Sequence, residues 1–326
     1  MPELDPGELA TRLRPFGATD VRALAGGASS LTFAARMGER RVVVKVAPPG
    51  VAPVRNRDVL RQARLLRALW NTEVPVPEVL FEDAGAPPEV PPLFVMSFVE
   101  GDAFEPLFDT DGPDVAPAVV AERLRDAART MASLHGVRPD ALGLGHEPVG
   151  DPAEEVDRWS RALETVEPSL VPGWREVGHA LRISAPAPLS VAVVHGDFRL
   201  GNLLASGGRI TAVVDWEIWS IGDPRVDLGW FLLNADPRTY ERATRYAGSL
   251  PGLAELEEVY AVAMGAVAGS PVTQLAWFEA LAAFKSAATW SLIVKHNRRR
   301  SSPDGELEAM AAVLPRLLAR ARDGLG

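Results

Sequence analysis

The chain has 326 residues, a formal net charge of −9 and no cysteine. The lack of cysteine excludes disulfides, cysteine-ligated zinc, iron–sulfur clusters and thiol catalysis. The acidic balance argues against nucleic-acid binding, which depends on a basic face. No apolar run in the sequence reaches the roughly 20 residues that span a bilayer. Because the first residues lack a basic stretch followed by an apolar core, we expect no signal peptide and a cytoplasmic location.

The apolar periodicity divides the chain into a strand-rich first part and a helix-rich remainder. The first part is predicted to contain a helix at 5–16, strands at 21–24, 31–36 and 41–46, a helix at 57–70, an extended segment at 74–80 and a strand at 93–99. The remainder is predicted to contain helices at 117–136, 153–163 and 171–181, short strands at 191–194 and 210–214, and helices from Pro237 onward. These patterns predict a lobe over 1–100, a hinge at about 97–101 and a larger lobe over 101–326.

Lys45 lies in the run VVVKV, where a charged residue needs either a partner or an exposed strand edge. An edge lysine that faces water is one interpretation. The other is a lysine that reaches the phosphates of a nucleotide, as the strand lysine of kinases does. Upstream, Gly27, Ser29 and Ser30 in AGGASS could point their N–H groups at the same phosphates, although a pair of glycines before a strand is more often a plain turn.

Three polar residues follow the two short strands of the second part. Asp197 comes just after the first strand, Asp215 ends the second, and Asn202 lies between them. Two carboxylates and an amide that converge on one point would suit Mg²⁺, which prefers oxygen ligands. Asp197 and Asn202 are five residues apart, which matches the Asp-to-Asn spacing of the kinase catalytic loop. Together with Lys45, these residues supply each group type that phosphoryl transfer requires.

The motifs HGDFRLGN, VVDWE and GDPRVDL resemble those of the aminoglycoside phosphotransferase family of kinase-like enzymes. The form of HGDFRLGN and the Arg158–Trp159 pair look most like the subgroup that accompanies acyl-CoA dehydrogenases. The resemblance implies an α+β, two-lobed protein-kinase-like fold with a small β-rich N-terminal lobe and a larger helical C-terminal lobe. It also implies that residues 1–100 bind the nucleotide and that residues 101–326 carry catalysis and substrate binding.

The resemblance assigns roles to the central residues. Asp197 is implied as the catalytic base, Asn202 and Asp215 as Mg²⁺ ligands, and Lys45 as the lysine on the nucleotide phosphates. The nucleotide-binding set is completed by the residues of the phosphate loop and the hinge, namely Gly27, Ser29, Ser30, Met96, Ser97, Phe98 and Val99. Within this set, Met96 would lie beside the adenine, and the backbone of the following three residues would meet the edge of the base.

Six further residues are expected to support the site rather than to react. They are Gln62, His195, Arg199, Glu217, Asp223 and Asp227. Arg199 has two interpretations, an anchor for an acidic group of the acceptor and a structural ion pair. Gln62 departs from the family pattern, because it stands where a glutamate normally pairs with the strand lysine. It could hydrogen-bond the Lys45 ammonium but brings no charge.

The sequence therefore predicts an ATP- and Mg²⁺-dependent phosphotransferase that moves the γ-phosphate to a hydroxyl of a small molecule, with GTP left open as donor. The acceptor is an antibiotic, in which case the protein would confer resistance, or a metabolite such as a hydroxyacyl thioester. Gln62 keeps an alternative open, a nucleotide-binding pseudokinase or regulatory module without transfer activity. Nothing in the sequence indicates the oligomeric state.

Overall fold

Local capping signals set where several helices begin. The structure is a computed structural model that describes residues 4–24, 30–109, 113–267, 269 and 272–326. The strands are β1 (Ala18–Ala23), β2 (Leu31–Met37), β3 (Arg40–Val46), β4 (Val79–Asp83), β5 (Leu93–Ser97), β6 (Ala192–Val194), β7 (Leu203–Ser206), β8 (Arg209–Val213) and β9 (Ser220–Gly222). The helices are α1 (Pro6–Leu13), α2 (Val59–Leu69), α3 (Pro117–Gly136), α4 (Pro152–Leu163), α5 (Trp174–Ile183), α6 (Arg225–Ala235), α7 (Leu253–Ala263), α8 (Leu275–Asn297), α9 (Gly305–Ala309) and α10 (Leu314–Asp323). The side chains of Asp5, Asp58 and Asp151 cap α1, α2 and α4 by accepting backbone N–H groups of the first turn.

The described residues form two compact units. The first unit comprises Met1–Ala103 and Asn202–Trp219, and the second comprises Phe104–Gly201 and Ser220–Gly326. The segment Asn202–Trp219 thus joins the first unit, whereas the predicted boundary placed it in the lobe after residue 101. The reason lies in backbone pairing, because Val213 N–H donates to the Pro75 carbonyl and Ala205 exchanges hydrogen bonds with Asp102. The assignment of separate functions to the two parts stays a prediction.

The first unit is built on an antiparallel sheet with the strand order β1-β2-β3-β5-β4. Side chains alternate between the two faces of each strand. One face carries Phe33, Val44 and Val95, which lie in register and pack in a core with Leu9 and Leu13 of α1. The other face carries Lys45 together with Phe94 and Thr32, its partners in register. Lys45 is therefore central in the sheet, and the edge-strand interpretation is wrong.

The second unit is mainly helical and is organised around α8. This helix has 23 residues and packs against α4, α5, α6 and α10. Its small alanines permit close contact with these neighbours, and its aromatic residues fill the space between them. A short ribbon of β6 and β9 lies in the same unit. None of the described helices is long and apolar enough to cross a membrane.

Two parts of the predicted secondary structure were wrong. Residues 238–252 contain no helix, although the pattern from Pro237 onward was predicted to be helical. In this stretch the side chains of Arg245 and Tyr246 instead bind the backbone carbonyls of Pro113 and Val115. The short strands β7 and β9 were not predicted, because three or four residues carry too little periodicity to be recognised.

Candidate active site

The polar residues predicted around the nucleotide come together in the first unit. Leu203 of β7 pairs with Val213 of β8, and the Val214 N–H donates to the Asn202 carbonyl at 3.0 Å. Asn202 and Asp215 therefore lie at the same end of this hairpin. The Lys45 Nζ donates to the Asp215 carboxylate at 2.9 Å, and the Lys45 side chain is only 9% exposed. The ion pair satisfies a lysine that would otherwise be buried without a partner.

The backbone at Asp215 adopts an uncommon conformation. Its φ is +64°, in the left-handed region that non-glycine residues seldom occupy. Aspartate tolerates this region better than most residues, but the conformation still costs free energy and persists only where the surroundings hold it. Such residues are concentrated at functional sites. The left-handed turn directs the chain away from β8 at the residue predicted to bind the metal.

Asn202 and Asp215 supply oxygen donors of the kind that Mg²⁺ prefers. In the part of the chain that the structure describes, no group of three or more acidic or histidine side chains could hold a metal ion. The two donors at the end of the hairpin nevertheless fit Mg²⁺, because this ion is often held by one or two protein side chains together with substrate phosphates. Glu217 follows Asp215 by two residues and is partly buried.

Residues of the predicted adenine site surround the end of β5. Met96 is 8% exposed and pairs with Val43, so it lies on the same face of the sheet as Lys45. The Ser97 N–H donates to the Glu78 carbonyl and the Phe98 N–H donates to the Arg41 carbonyl. These two N–H groups are therefore not available to a base. Within the described residues no backbone hydrogen bond of the Val99 N–H is found, and its contact with the edge of a base stays a prediction.

The phosphate loop and Gln62 give a partial picture. Gly27 and Ser29 lie outside the described residues, whereas Ser30 is fully buried. The Ser30 hydroxyl and the Gln62 amide nitrogen are buried without a hydrogen-bond partner among the described residues. Gln62 was expected to be able to hydrogen-bond the Lys45 ammonium, but Asp215 takes that place. Nearby on α2, the Arg61 guanidinium stacks on the Trp219 ring at 3.7 Å.

Asp197 lies in the second unit, three residues after β6. Its Oδ1 accepts a hydrogen bond from the Trp230 Nε1 at 2.8 Å and lies 3.2 Å from the Arg199 Nε. The Arg199 guanidinium also donates to the Glu105 carboxylate at 2.8 Å. Flanked by two carboxylates, the Arg199 guanidinium has its pKa raised despite burial. These contacts agree with the interpretation of Arg199 as a member of a structural ion pair.

The backbone before Asp197 is held by Asp227. The fully buried Asp227 carboxylate accepts the N–H groups of His195 and Gly196 at 2.6 and 2.8 Å. Burial alone would raise the pKa of Asp227, but the hydrogen bond and charge of His135 and the nearby His195 hold it below its ordinary value. The His195 Nδ1 in turn accepts the Asp197 N–H at 3.1 Å. This network fixes the backbone conformation of the residues directly before Asp197, the predicted base.

Asp223 and several residues that the motifs did not indicate make further contacts in the second unit. Asp223 forms a buried ion pair with Arg225 at 2.7 Å and accepts the Leu189 N–H, so it orders the turn before α6. Five unpredicted residues belong to the contacts around Asp197. Trp230 touches Asp197 itself, and Glu105, Lys285 and His135 touch Arg199, Gly196 and Asp227. The fifth, Tyr260, touches His135. These five residues lie far from HGDFRLGN in the sequence, and no fixed spacing relates them to it. Only Lys285, a charged residue within an apolar helical run, had a readable signal.

Comparisons with known proteins support the predicted family. Residues 20–259 match the family model described as Phosphotransferase enzyme family. Acyl-CoA dehydrogenase family member 11 of Gallus gallus is 30% identical over 223 residues, which cover 67% of this chain and 28% of that protein. The chain thus spans less than a third of the length of this relative.

Two solved structures share the fold at lower identity. A Ralstonia eutropha protein assigned to the aminoglycoside phosphotransferases has a TM-score of 0.77 at 21% identity, with 99% of this chain and 98% of that chain covered. A thermostable mutant of aminoglycoside phosphotransferase APH(4)-Ia, in a ternary complex with AMP-PNP and hygromycin B, has a TM-score of 0.62 at 17% identity, with 98% and 97% covered. These likenesses confirm the predicted α+β, kinase-like fold with a small β-rich lobe and a larger helical lobe.

Proposed function

Because the chain belongs to the phosphotransferase enzyme family, we propose that it transfers the γ-phosphate of ATP to a hydroxyl of a small molecule in a Mg²⁺-dependent reaction. The observation that carries the proposal is the cluster of Lys45, Asp215 and Asn202 at the end of the β7–β8 hairpin. These residues supply a cation for phosphates and two oxygen ligands for a metal. The relative solved with AMP-PNP, a nucleotide analogue, supports the use of a nucleotide donor.

In the proposed reaction, Asp197 accepts the proton of the acceptor hydroxyl as the oxygen bonds to the γ-phosphorus. The bond between the γ-phosphorus and its bridging oxygen breaks, and ADP leaves with that oxygen. Mg²⁺, when bound through Asn202 and Asp215, neutralises charge on the phosphates. Lys45 stabilises the same negative charge. Because a base must be aimed at its proton, the hydrogen bonds that Trp230 and Arg199 donate to the Asp197 carboxylate serve to orient it.

The acceptor is to be found by a screen of hydroxyl compounds with MgATP, read as the gain of one phosphate in the mass spectrum. The set should include aminoglycosides, macrolides, nucleoside antibiotics and hydroxyacyl thioesters. Hygromycin B belongs in it because the relative solved with AMP-PNP binds it. Hydroxyacyl thioesters belong in it because acyl-CoA dehydrogenase family member 11 is a relative at 30% identity. Repeating the screen with MgGTP tests the choice of donor.

Two variants separate binding from transfer. We expect Asp197→Asn to keep MgATP binding, measured by calorimetry, and to lose phosphate transfer. Asp215→Ala should lose the Mg²⁺-dependent part of nucleotide binding. Asp140→Asn is a matched control, since among the described residues the exposed Asp140 side chain forms a single ion pair, with Arg138. Binding of MgATP without transfer to any acceptor would favour the regulatory-module alternative, and full transfer by Asp197→Asn would refute the assigned base.

A further inference from the structure

Lys285 is a buried cation in the middle of α8. It is 5% exposed and stands in the run LAAFKSAATW, between residues that fill the core of the second unit. Lysine is almost never buried this deeply unless it has partners, because removing an ammonium from water costs considerable free energy. A specific role would explain why the second unit retains a charge at this position.

The contacts of Lys285 lead to Asp197 by two routes. Its Nζ donates to the carbonyl of Gly196, the residue directly before Asp197. The same ammonium lies 3.8 Å from the centroid of the Trp230 ring, a short cation–π distance. The Trp230 indole N–H donates to Asp197 Oδ1 at 2.8 Å. Lys285 therefore holds both the peptide group between Gly196 and Asp197 and the Trp230 ring, which orients the Asp197 carboxylate.

Charged groups from three elements act on the Lys285 ammonium. Asp197 faces it from the loop after β6, Asp227 from α6, and Glu155 and Arg158 from α4. His135 and His195 act on Asp227 in turn. Burial lowers the pKa of Lys285 to about 8, and the three carboxylates oppose this decrease. Since two of its three acidic neighbours belong to the Asp197 region, the ammonium lies in the electrostatic field of the predicted base.

We propose that Lys285 is a positioning residue for Asp197, in that its ammonium fixes the Gly196 carbonyl and the Trp230 ring, which together aim the Asp197 carboxylate. The role of Asp197 as base rests on the proposed function, but the contacts of Lys285 do not. A neutral amine could still donate to the Gly196 carbonyl. It would lose the attraction to the Trp230 ring, because a cation–π interaction requires the charge. Deprotonation of Lys285 should therefore first change the electrostatic environment of the Trp230 indole.

The direct test follows the Trp230 indole N–H by ¹⁵N nuclear magnetic resonance between pH 6.5 and 9.5, with the signal assigned through Trp230→Phe. In the unmodified protein we expect the signal to shift with a midpoint at a pH of about 8. This shift should be absent in Lys285→Met and in Lys285→Arg, whose charge persists over the whole range. Lys295→Met is the matched control, because Lys295 lies on the same helix with an exposed hydrogen bond to Thr165, and it should titrate like the unmodified protein.

The proposal is overturned if the Trp230 indole signal of Lys285→Met coincides with that of the unmodified protein at pH 6.5, or if Lys285→Met titrates in the same way as the unmodified protein. The spread of the other amide signals shows whether Lys285→Met is folded, and Lys285→Arg, which keeps the charge, serves as the second variant. With an acceptor in hand, Lys285→Met should lower kcat by about tenfold to a hundredfold and leave the KM for ATP within about twofold. If the unmodified protein transfers no phosphate, the proposed function fails, and the indole titration still decides the role of Lys285.

Discussion

Replacing Asp227 by asparagine tests whether the buried carboxylate holds the backbone before Asp197. Asparagine keeps the shape but replaces one acceptor oxygen by an NH₂ group and removes the charge. The carboxylate now accepts two backbone N–H groups at 2.6 and 2.8 Å and meets the His135 ring at 3.3 Å. Hydrogen bonds to a charged group contribute roughly 1.5–3 kcal/mol each, and breaking a buried pair costs about 3–5 kcal/mol. We therefore expect Asp227→Asn to lower the free energy of unfolding by about 3–5 kcal/mol.

The assay is urea unfolding at pH 7.5, followed by tryptophan fluorescence, with Asp140→Asn as a control expected to lie within about 0.5 kcal/mol of the unmodified protein. The pH dependence gives a second readout. Because the pKa of Asp227 is lower in the folded state than its ordinary value of 3.8, its stabilisation is complete above that value. This stabilisation is lost as the pH falls through the folded-state pKa of Asp227. The free energies of unfolding of Asp227→Asn and of the unmodified protein should therefore become more similar in that pH range. A difference below about 0.5 kcal/mol at pH 7.5 would refute the reasoning.

Three other changes test the packing and the first unit. A Cβ at Gly229 of α6 would lie 2.5 Å from the Phe278 carbonyl oxygen of α8, so Gly229→Ala should destabilise the protein by about 1–3 kcal/mol in thermal unfolding. Gly136→Ala, at the end of α3 with no neighbour of its Cβ within 4 Å, is the helical control and should be neutral or slightly stabilising. Gln62→Met should raise the free energy of unfolding by about 1 kcal/mol, because the Gln62 amide nitrogen is buried without a hydrogen-bond partner among the described residues. A decrease of the free energy of unfolding by about 1 kcal/mol would show that this amide does have a hydrogen-bond partner. Lys45→Met should abolish the thermal shift produced by MgATP, and a preserved shift would remove Lys45 from the nucleotide site.

Sequence alone predicted those parts of the fold that local signals determine. The helix at 117–136 has the bounds of α3, because apolar spacing and the proline at its first position are both local features. The strands β7 and β9 escaped prediction because their partners define them. β9 exists through its pairing with β6, in which Ile221 lies opposite Val193, 28 residues earlier in the sequence. Pairing over such a distance leaves no trace in the pattern of three residues.

The candidate site shows the same limit. Asp197, Asn202 and Asp215 could be found because their chemistry depends on fixed spacing along one stretch of chain. Trp230 and Lys285 act through contacts made by helices that follow much later. The reasoning that singled out Lys45, a lysine within an apolar run, applies equally to Lys285 in α8. The partner of Lys45 could not be predicted, because the choice between α2 and Asp215 depends on three-dimensional packing.

The grouping of Asn202–Trp219 with the first unit has a consequence for dissecting the protein. The chain passes from one unit to the other three times, after Ala103, Gly201 and Trp219. A fragment that ends at Ala103 would lack the β7–β8 hairpin and would leave the Pro75 carbonyl without the Val213 N–H. It would also deprive the buried Lys45 of Asp215. Neither unit can therefore be excised as one continuous piece, and a stand-alone first unit would require the hairpin to be joined to Ala103 by a linker.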